Sequence, residues 1–165
     1  MKRIIIMFFI LSISMFTYAY DTCDFDDYYC TNTTLGKMDK IKSSKSKDGY
    51  SHIFLNGKEL FKAKTRFFSE VPNGWTLDFN NKVSKTIVFF DRDEPIKTED
   101  GQYKRRAYVL LDFSSNSGAV ISKEFFPGTD FADIKWVSWG KESSVIIFND
   151  GSKFTYSNGS VLNDD

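Results

Sequence analysis

Short apolar runs separated by turn-forming dipeptides dominate the chain after residue 50. In SHIFL (51–55), KTIVFFD (85–91), RRAYVLLDF (105–113) and SVIIF (144–148) the large side chains are mostly β-branched, aliphatic or aromatic. Such runs suit a pleated, half-buried surface. Six of the ten glycines follow Asn or Asp: Asp48-Gly49, Asn56-Gly57, Asn73-Gly74, Asp100-Gly101, Asp150-Gly151 and Asn158-Gly159. These pairs accept positive φ at low cost, and between apolar runs they signal hairpins. The pattern predicts strands near 51–55, 58–63, 65–70, 75–79, 85–91, 104–113, 118–126, 133–139, 144–149 and 152–157. A sustained 3.6-residue period is missing, although Thr33 or Thr34 could cap a short helix over 31–41. The expected fold class is all-β, with antiparallel meander hairpins forming a sandwich, barrel or propeller-like stack.

The beginning of the chain departs from this pattern. Lys2 and Arg3 precede an apolar stretch, Ile4 to Phe16, and Thr17-Tyr18-Ala19 places small residues at −3 and −1. This is the layout of a secretory signal peptide over 1–19. The apolar stretch is shorter than the ~20 residues a membrane span needs. Localisation is therefore expected to be periplasmic or secreted, with no membrane span after cleavage. Residues 20–50 read as a disulfide-tied N-terminal segment followed by a Lys- and Ser-rich loop, and 51–165 as a single β domain. Cys23 and Cys30, the only two cysteines, are expected to form a disulfide after export. The loop KMDKIKSSKSKDG (37–49) reads as a solvated connection, or as a docking surface for an acidic partner or an anionic cell wall. A faint echo links SHIFLNGKELF (51–61) to SVIIFNDGSKF (144–154), which suggests repeated hairpins.

Charge and composition narrow the function. Removing Lys2 and Arg3 from the 22 basic residues leaves 20 against 22 acidic ones, a net charge near −2. Nucleic-acid binders carry a basic excess, so nucleic acid is not the expected partner. The single histidine, His52, sits inside an alternating strand. No nucleophile triad can be written from it, no catalytic residue is assigned, and the protein is read as a binder rather than an enzyme. No cofactor or metal is expected. Asp91 and Asp93 fall on one side of an extended strand and are the acidic pair that could hold calcium. Trp136 and Trp139 are three apart, so a strand sends them to opposite faces. One is expected in the core and the other, taken as Trp139, as an exposed aromatic anchor for a partner or a glycan. Trp75 is expected in the core.

Between the runs RRAYVLLDF and AVISKEFF lies SSNSG, Ser114-Ser115-Asn116-Ser117-Gly118. Val109, Leu111 and Phe113 share one strand face, and Tyr108, Leu110 and Asp112 the other, so the hairpin is expected to be covered on both sides. Its tip offers hydroxyls and an amide with little bulk. It reads either as a solvated turn or as a plug for another protein's cleft. A small, exported, disulfide-bearing β protein with a serine-bearing hairpin loop resembles the periplasmic immunity proteins that inhibit type VI secreted peptidoglycan amidases. The resemblance is one of architecture. In that family a projecting loop occludes the toxin's Cys-His centre, and loop serines hydrogen-bond the catalytic residues. The resemblance implies Ser114 and Ser115 as inhibitory serines, with Asn116 and Ser117 as neighbours. The loop FPGTDFAD (126–133) is the alternative plug, and Asp112 near the tip points to a different target. The expected function is inhibition of a cell-wall hydrolase by occlusion of its active site. The rivals are a lysozyme-inhibitor-like or other envelope binding protein, and a small secreted glycan-binding module or hydrolase.

Overall fold

A computed structural model describes Cys23, residues 29–70 and residues 76–164. The expected signal peptide and Trp75 lie outside these residues. In chain order the strands are β1 (Cys30–Thr33), β2 (Gly36–Ile41), β3 (Ser51–Leu55), β4 (Lys58–Ala63), β5 (Ser69–Glu70), β6 (Thr76–Phe79) and β7 (Lys82–Lys97). They continue with β8 (Tyr103–Asp112), β9 (Val120–Ile121), β10 (Ile134–Ser138), β11 (Ser143–Phe148), β12 (Lys153–Ser157) and β13 (Ser160–Asn163). The chain is all-β, and the one helical element described is a single 3-10 turn at Ser43–Lys45.

The first nine strands form a nearly closed, barrel-like sheet in the order β4-β3-β2-β1-β7-β8-β9, with β5 and β6 also paired to β7. The other four form a second sheet, the meander β10-β11-β12-β13. All pairings are antiparallel except β1 with β7, which run parallel at Thr33 and Val83.

Turn chemistry explains much of this order. Asn56-Gly57 and Asn158-Gly159 have positive φ at both positions, as two-residue hairpin turns require. Asn80-Asn81, between β6 and β7, does the same without glycine, at φ 52° and 60°. Asparagine is among the few residues that tolerate this region.

The structure corrects several expectations. Residues 31–41 are not a helix but the β1–β2 hairpin. Its turn is held by Asn56, whose Oδ1 accepts from the Lys37 N–H (3.0 Å) and whose Nδ2 donates to the Leu35 carbonyl (2.9 Å). The connection expected over 37–49 begins inside β2, where Met38 is fully buried and Lys40 pairs with Glu70 at 2.6 Å. The curled sheet therefore starts at Cys30, not at residue 51. The strand expected over 118–126 shrinks to β9 and one bridge, Tyr108 to Phe125. From Tyr108 to Leu111, β8 advances three residues while its partner, from Phe125 back to Ile121, uses four. Ser122 fills the resulting bulge, its Oγ accepting from the Leu110 N–H. β7 runs on to Lys97 through a register shift between Asp91 and Ile96, which accommodates Pro95. The two echoing hairpins lie in different sheets and turn differently, so they share only hairpin form. Cys23 and Cys30 are disulfide-bonded, with Cα atoms 5.6 Å apart.

Two hydrophobic cores result. Inside the curled sheet, Met38, Ile53, Phe68, Val88, Phe90, Val109, Leu111 and Phe113 pack together. Between the β7–β8 hairpin and the second sheet, Ile87, Tyr108, Leu110 and Phe125 meet Ile146, Phe148, Phe154 and Tyr156. Neighbouring residues of β8 thus enter different cores, as the sequence pattern anticipates for this hairpin. Leu110→Ala and Leu111→Ala, one change per core, should each lower the unfolding free energy by about 3 kcal/mol in urea titrations. A near-neutral result for either would mean that one face of β8 is not packed.

Candidate functional site

The chain leaves β8 at Asp112 and enters the 114–118 tip through Phe113, whose N–H bonds the Ser84 carbonyl at 2.7 Å. Asp112 organises the base of the tip. Its Oδ1 accepts from the Ser114 N–H (2.9 Å) and the Ser114 hydroxyl (2.5 Å). Its Oδ2 accepts from the Tyr156 phenol at 2.9 Å, with Lys85 Nζ at 3.5 Å. Lys85 in turn donates to the Gly140 carbonyl at 3.0 Å. A Cβ at Gly140 would lie 2.1 Å from the Ser143 carbonyl oxygen, so only glycine fits that turn. Lys85, Asp112 and Tyr156 are all buried. Burial by itself would raise the Asp112 carboxyl, but hydrogen bonds from Ser114 and Tyr156, with Lys85 alongside, hold it below its ordinary value. Burial and the neighbouring carboxylate raise the Tyr156 phenol well above its ordinary range, so it stays a donor.

The remaining tip serines bond each other. The Ser115 and Ser117 hydroxyls are 2.7 Å apart, and the Ser117 N–H reaches Ser115 Oγ. Thr34, in the β1–β2 turn, braces the tip from below by donating to the Phe113 carbonyl at 2.6 Å. Asn116 is exposed, and its amide makes no hydrogen bond among the described residues. Residues of the tip also line a groove. Leu77, Asp78, Phe79, Thr34 and Leu35 line the groove together with the tip residues. The groove encloses about 420 Å³, and Phe79 on its rim is 64% exposed.

The other sequence candidates fall elsewhere. Trp139 lies past the end of β10 and packs against the second core with a buried indole N–H. It is not the exposed anchor; that position belongs to Trp136, 47% exposed. The two rings do differ in exposure, but the inward face of β10 is set by Ile134 and Val137, which assigns Trp136 to solvent. Asp91 and Asp93 do not act as a pair, because both Asp91 oxygens bond the Arg106 guanidinium (2.8 and 3.2 Å). Among the described residues no three His, Cys, Asp or Glu side chains converge on a metal position. The alternative loop 126–133 is tied down, with Asp150 accepting from Thr129, Asp130 from the Arg105 and Arg106 N–H groups, and Ala132 from Tyr108.

A constellation that sequence reasoning missed surrounds His52. Its Nδ1 lies 2.7 Å from Glu59 and its Nε2 2.9 Å from Asp48, with the Ser46 hydroxyl 3.1 Å from Nε2. The Ser46–His52–Glu59 distances resemble a nucleophile triad. However, Asp48 also bonds the Ser46 hydroxyl and claims the nitrogen that a serine base would need. With a carboxylate on each nitrogen, the ring is an ionic clamp between β3, β4 and the 46–50 loop. Burial opposes its charge, and the bonds to Asp48 and Glu59 outweigh burial and raise its pKa.

The chain matches no protein-family model, no curated protein and no solved structure.

The buried pair and the clamp can each be tested. Asp112→Ala leaves Lys85 buried without its carboxylate and should cost about 3–5 kcal/mol. Tyr156→Phe removes one bond to a charged acceptor and should cost less, about 2 kcal/mol. Equal losses in urea unfolding would contradict this hierarchy. His52 is the only histidine, so its ring-proton NMR signal is unambiguous. Its midpoint should lie above 6.5. A raised folded-state pKa means the clamp's stabilisation is complete below pH 6.5 and is lost as pH rises through the folded value. A midpoint at or below 6.5 would show that the two carboxylates do not hold the ring.

Proposed function

We propose that this chain is an exported binding protein that inhibits a cell-wall hydrolase by engaging it at the groove beside the 114–118 tip. Export is supported by Lys2 and Arg3 ahead of the apolar stretch Ile4 to Phe16, and by Thr17-Tyr18-Ala19 after it. It is supported also by the Cys23–Cys30 disulfide, a bond that persists in oxidising compartments. Among the described residues, no helix is long and apolar enough to cross a membrane.

One observation carries the proposal: a tip anchored from below presents unengaged recognition groups above. Asp112, Thr34 and the Ser115–Ser117 pair fix its conformation before any partner arrives. Asn116 is exposed, its amide offers two donors and an acceptor, and it lines the groove together with the exposed ring of Phe79. A partner segment laid in the groove would bury Phe79 and pair with Asn116. The ordering cost of the tip has already been met by its internal bonds. Inhibition then comes from steric occlusion and hydrogen bonding, with a loop of the hydrolase entering the groove and the tip covering its mouth. The tip hydroxyls act here as hydrogen-bonding groups, since Ser114 already donates to Asp112 and the chain's one histidine is held in the distant clamp.

The test uses the mature chain, residues 20–165, as bait in lysates of the native organism and its close competitors, followed by peptidoglycan digestion assays. The expected result is stoichiometric capture and inhibition of a cell-wall amidase. Phe79→Ala and Asn116→Lys should each weaken capture by roughly thirtyfold, the effect of losing an interface anchor worth about 2 kcal/mol. Far-UV spectra should be unchanged. Undiminished capture by both variants would remove the groove from the interface. Inhibition of lysozyme in place of an amidase would move the target to the glycan-cleaving class.

A further inference from the structure

A second groove lies further along the β7–β8 hairpin, beside the Asp91–Arg106 pair. Ser84 lines the tip groove, and Asp91, seven residues along β7, lines another groove about 23 Å away at strand spacing. This second groove encloses about 570 Å³. Four guanidinium groups and two carboxylates line it. Arg92 is spent on Glu124 and Arg106 on Asp91. Asp93 is faced by Lys64, which also pairs with Glu94. Arg66 and Arg105 remain, both exposed, and neither has a carboxylate within ion-pairing distance among the described residues.

Aromatic groups complete this surface. Phe67, beside Arg66, is 50% exposed. The Arg106 guanidinium lies near two rings, 4.8 Å from Phe89 and 5.0 Å from Phe131. Phe131 is 48% exposed and has φ +64°, a conformation that bulky residues rarely adopt. Bonds to the residues on either side of it maintain that backbone, from the Arg105 and Arg106 N–H groups to Asp130 and from Tyr108 to the Ala132 carbonyl. Exposed rings interleaved with fork-shaped cations are the composition of protein-interface anchors.

We infer that this face binds an extended acidic segment of a partner protein, with its carboxylates on Arg66 and Arg105 and an apolar side chain against Phe67. The chain's overall charge, near −2 after residue 19, disfavours nucleic acid as the occupant. The surface stands independently of the tip groove and of the function proposed for it.

The experiment is fluorescence polarisation of the mature protein with a labelled, end-capped peptide GEFEFEG. Its isostere GQFQFQG and a twelve-nucleotide single-stranded DNA serve as comparisons. The acidic peptide should bind, the glutamine peptide at least tenfold more weakly, and the affinity should fall as salt rises. Arg66→Ala and Arg105→Ala should each weaken binding at least fivefold. Arg105→Lys should fall between, because charge remains while the bidentate fork is lost. The inference is overturned if the acidic peptide fails to bind at millimolar concentration, if the arginine variants bind it like the parent, or if the oligonucleotide binds as tightly.

Discussion

Four cross-strand pairs on one face of the β7–β8 hairpin set the terms for the rest of the molecule. In order they are Lys85 with Asp112, Ile87 with Leu110, Phe89 with Tyr108, and Asp91 with Arg106. A charge pair brackets each end of an apolar, aromatic centre. On the other face Thr86 meets Leu111, Val88 meets Val109, and Phe90 meets Ala107. A slip of one residue would send each row to the wrong core and bury the charges against the barrel-like interior. The hairpin register from Lys85 to Asp91 is therefore set by side-chain chemistry. The second sheet is required because the outward row would otherwise leave Ile87, Leu110 and Tyr108 in water.

The two brackets are also where the two grooves proposed as recognition surfaces lie. At the first, the Lys85–Asp112 pair is buried, and a buried charge is tolerated only when its remaining bonding capacity is met. Ser114, Tyr156 and the Gly140 carbonyl meet it, and in doing so they tie the tip, the second sheet and the β10–β11 turn to one point. At the second bracket Asp91 remains half open to water, and the Arg106 guanidinium lies close to the rings of Phe89 and Phe131. Desolvation thus gives the two ends different characters. The buried end fixes the tip through internal hydrogen bonds, and the open end leaves arginine side chains and aromatic rings exposed.

Local signals in the sequence are reliable where one residue pair determines geometry. Asn56-Gly57 and Asn158-Gly159 turn as expected, and the two-faced packing of β8 is legible from RRAYVLLDF alone. Legibility fails where distant residues decide. β1 and β2 carry one large buried apolar side chain, Met38, so their strand character comes from pairing with β3 and β7 and from the Asn56 side chain. Strand 118–126 looks continuous because its composition is apolar, yet the bulge at Ser122 is invisible without β8 beside it. Composition identifies the tip but not the groove it lines. Phe79 arrives through an Asn80-Asn81 turn that lacks the glycine used to recognise hairpins. Arg66 and Arg105 stand 39 positions apart and become neighbours only through β7.

The groups that hold loops in place and the groups left exposed differ in kind among the described residues. A general base needs a lone pair free to take a proton at the moment of reaction. His52 has both nitrogens committed to carboxylates, and Asp112 accepts three hydrogen bonds beside an ammonium group. Asp150 is held at about 2 because bonds from Ser152 and Thr129 outweigh its burial. Each of these groups spends its capacity on holding loops in place. The groups left unspent among the described residues at the two grooves are of another kind: an amide at Asn116, guanidinium groups at Arg66 and Arg105, and rings at Phe67 and Phe79. Such groups gain free energy by meeting a complementary surface and need no proton to move. The loop clamps and the recognition groups are two parts of one arrangement, since a surface can bind without first ordering itself only if its loops are already fixed.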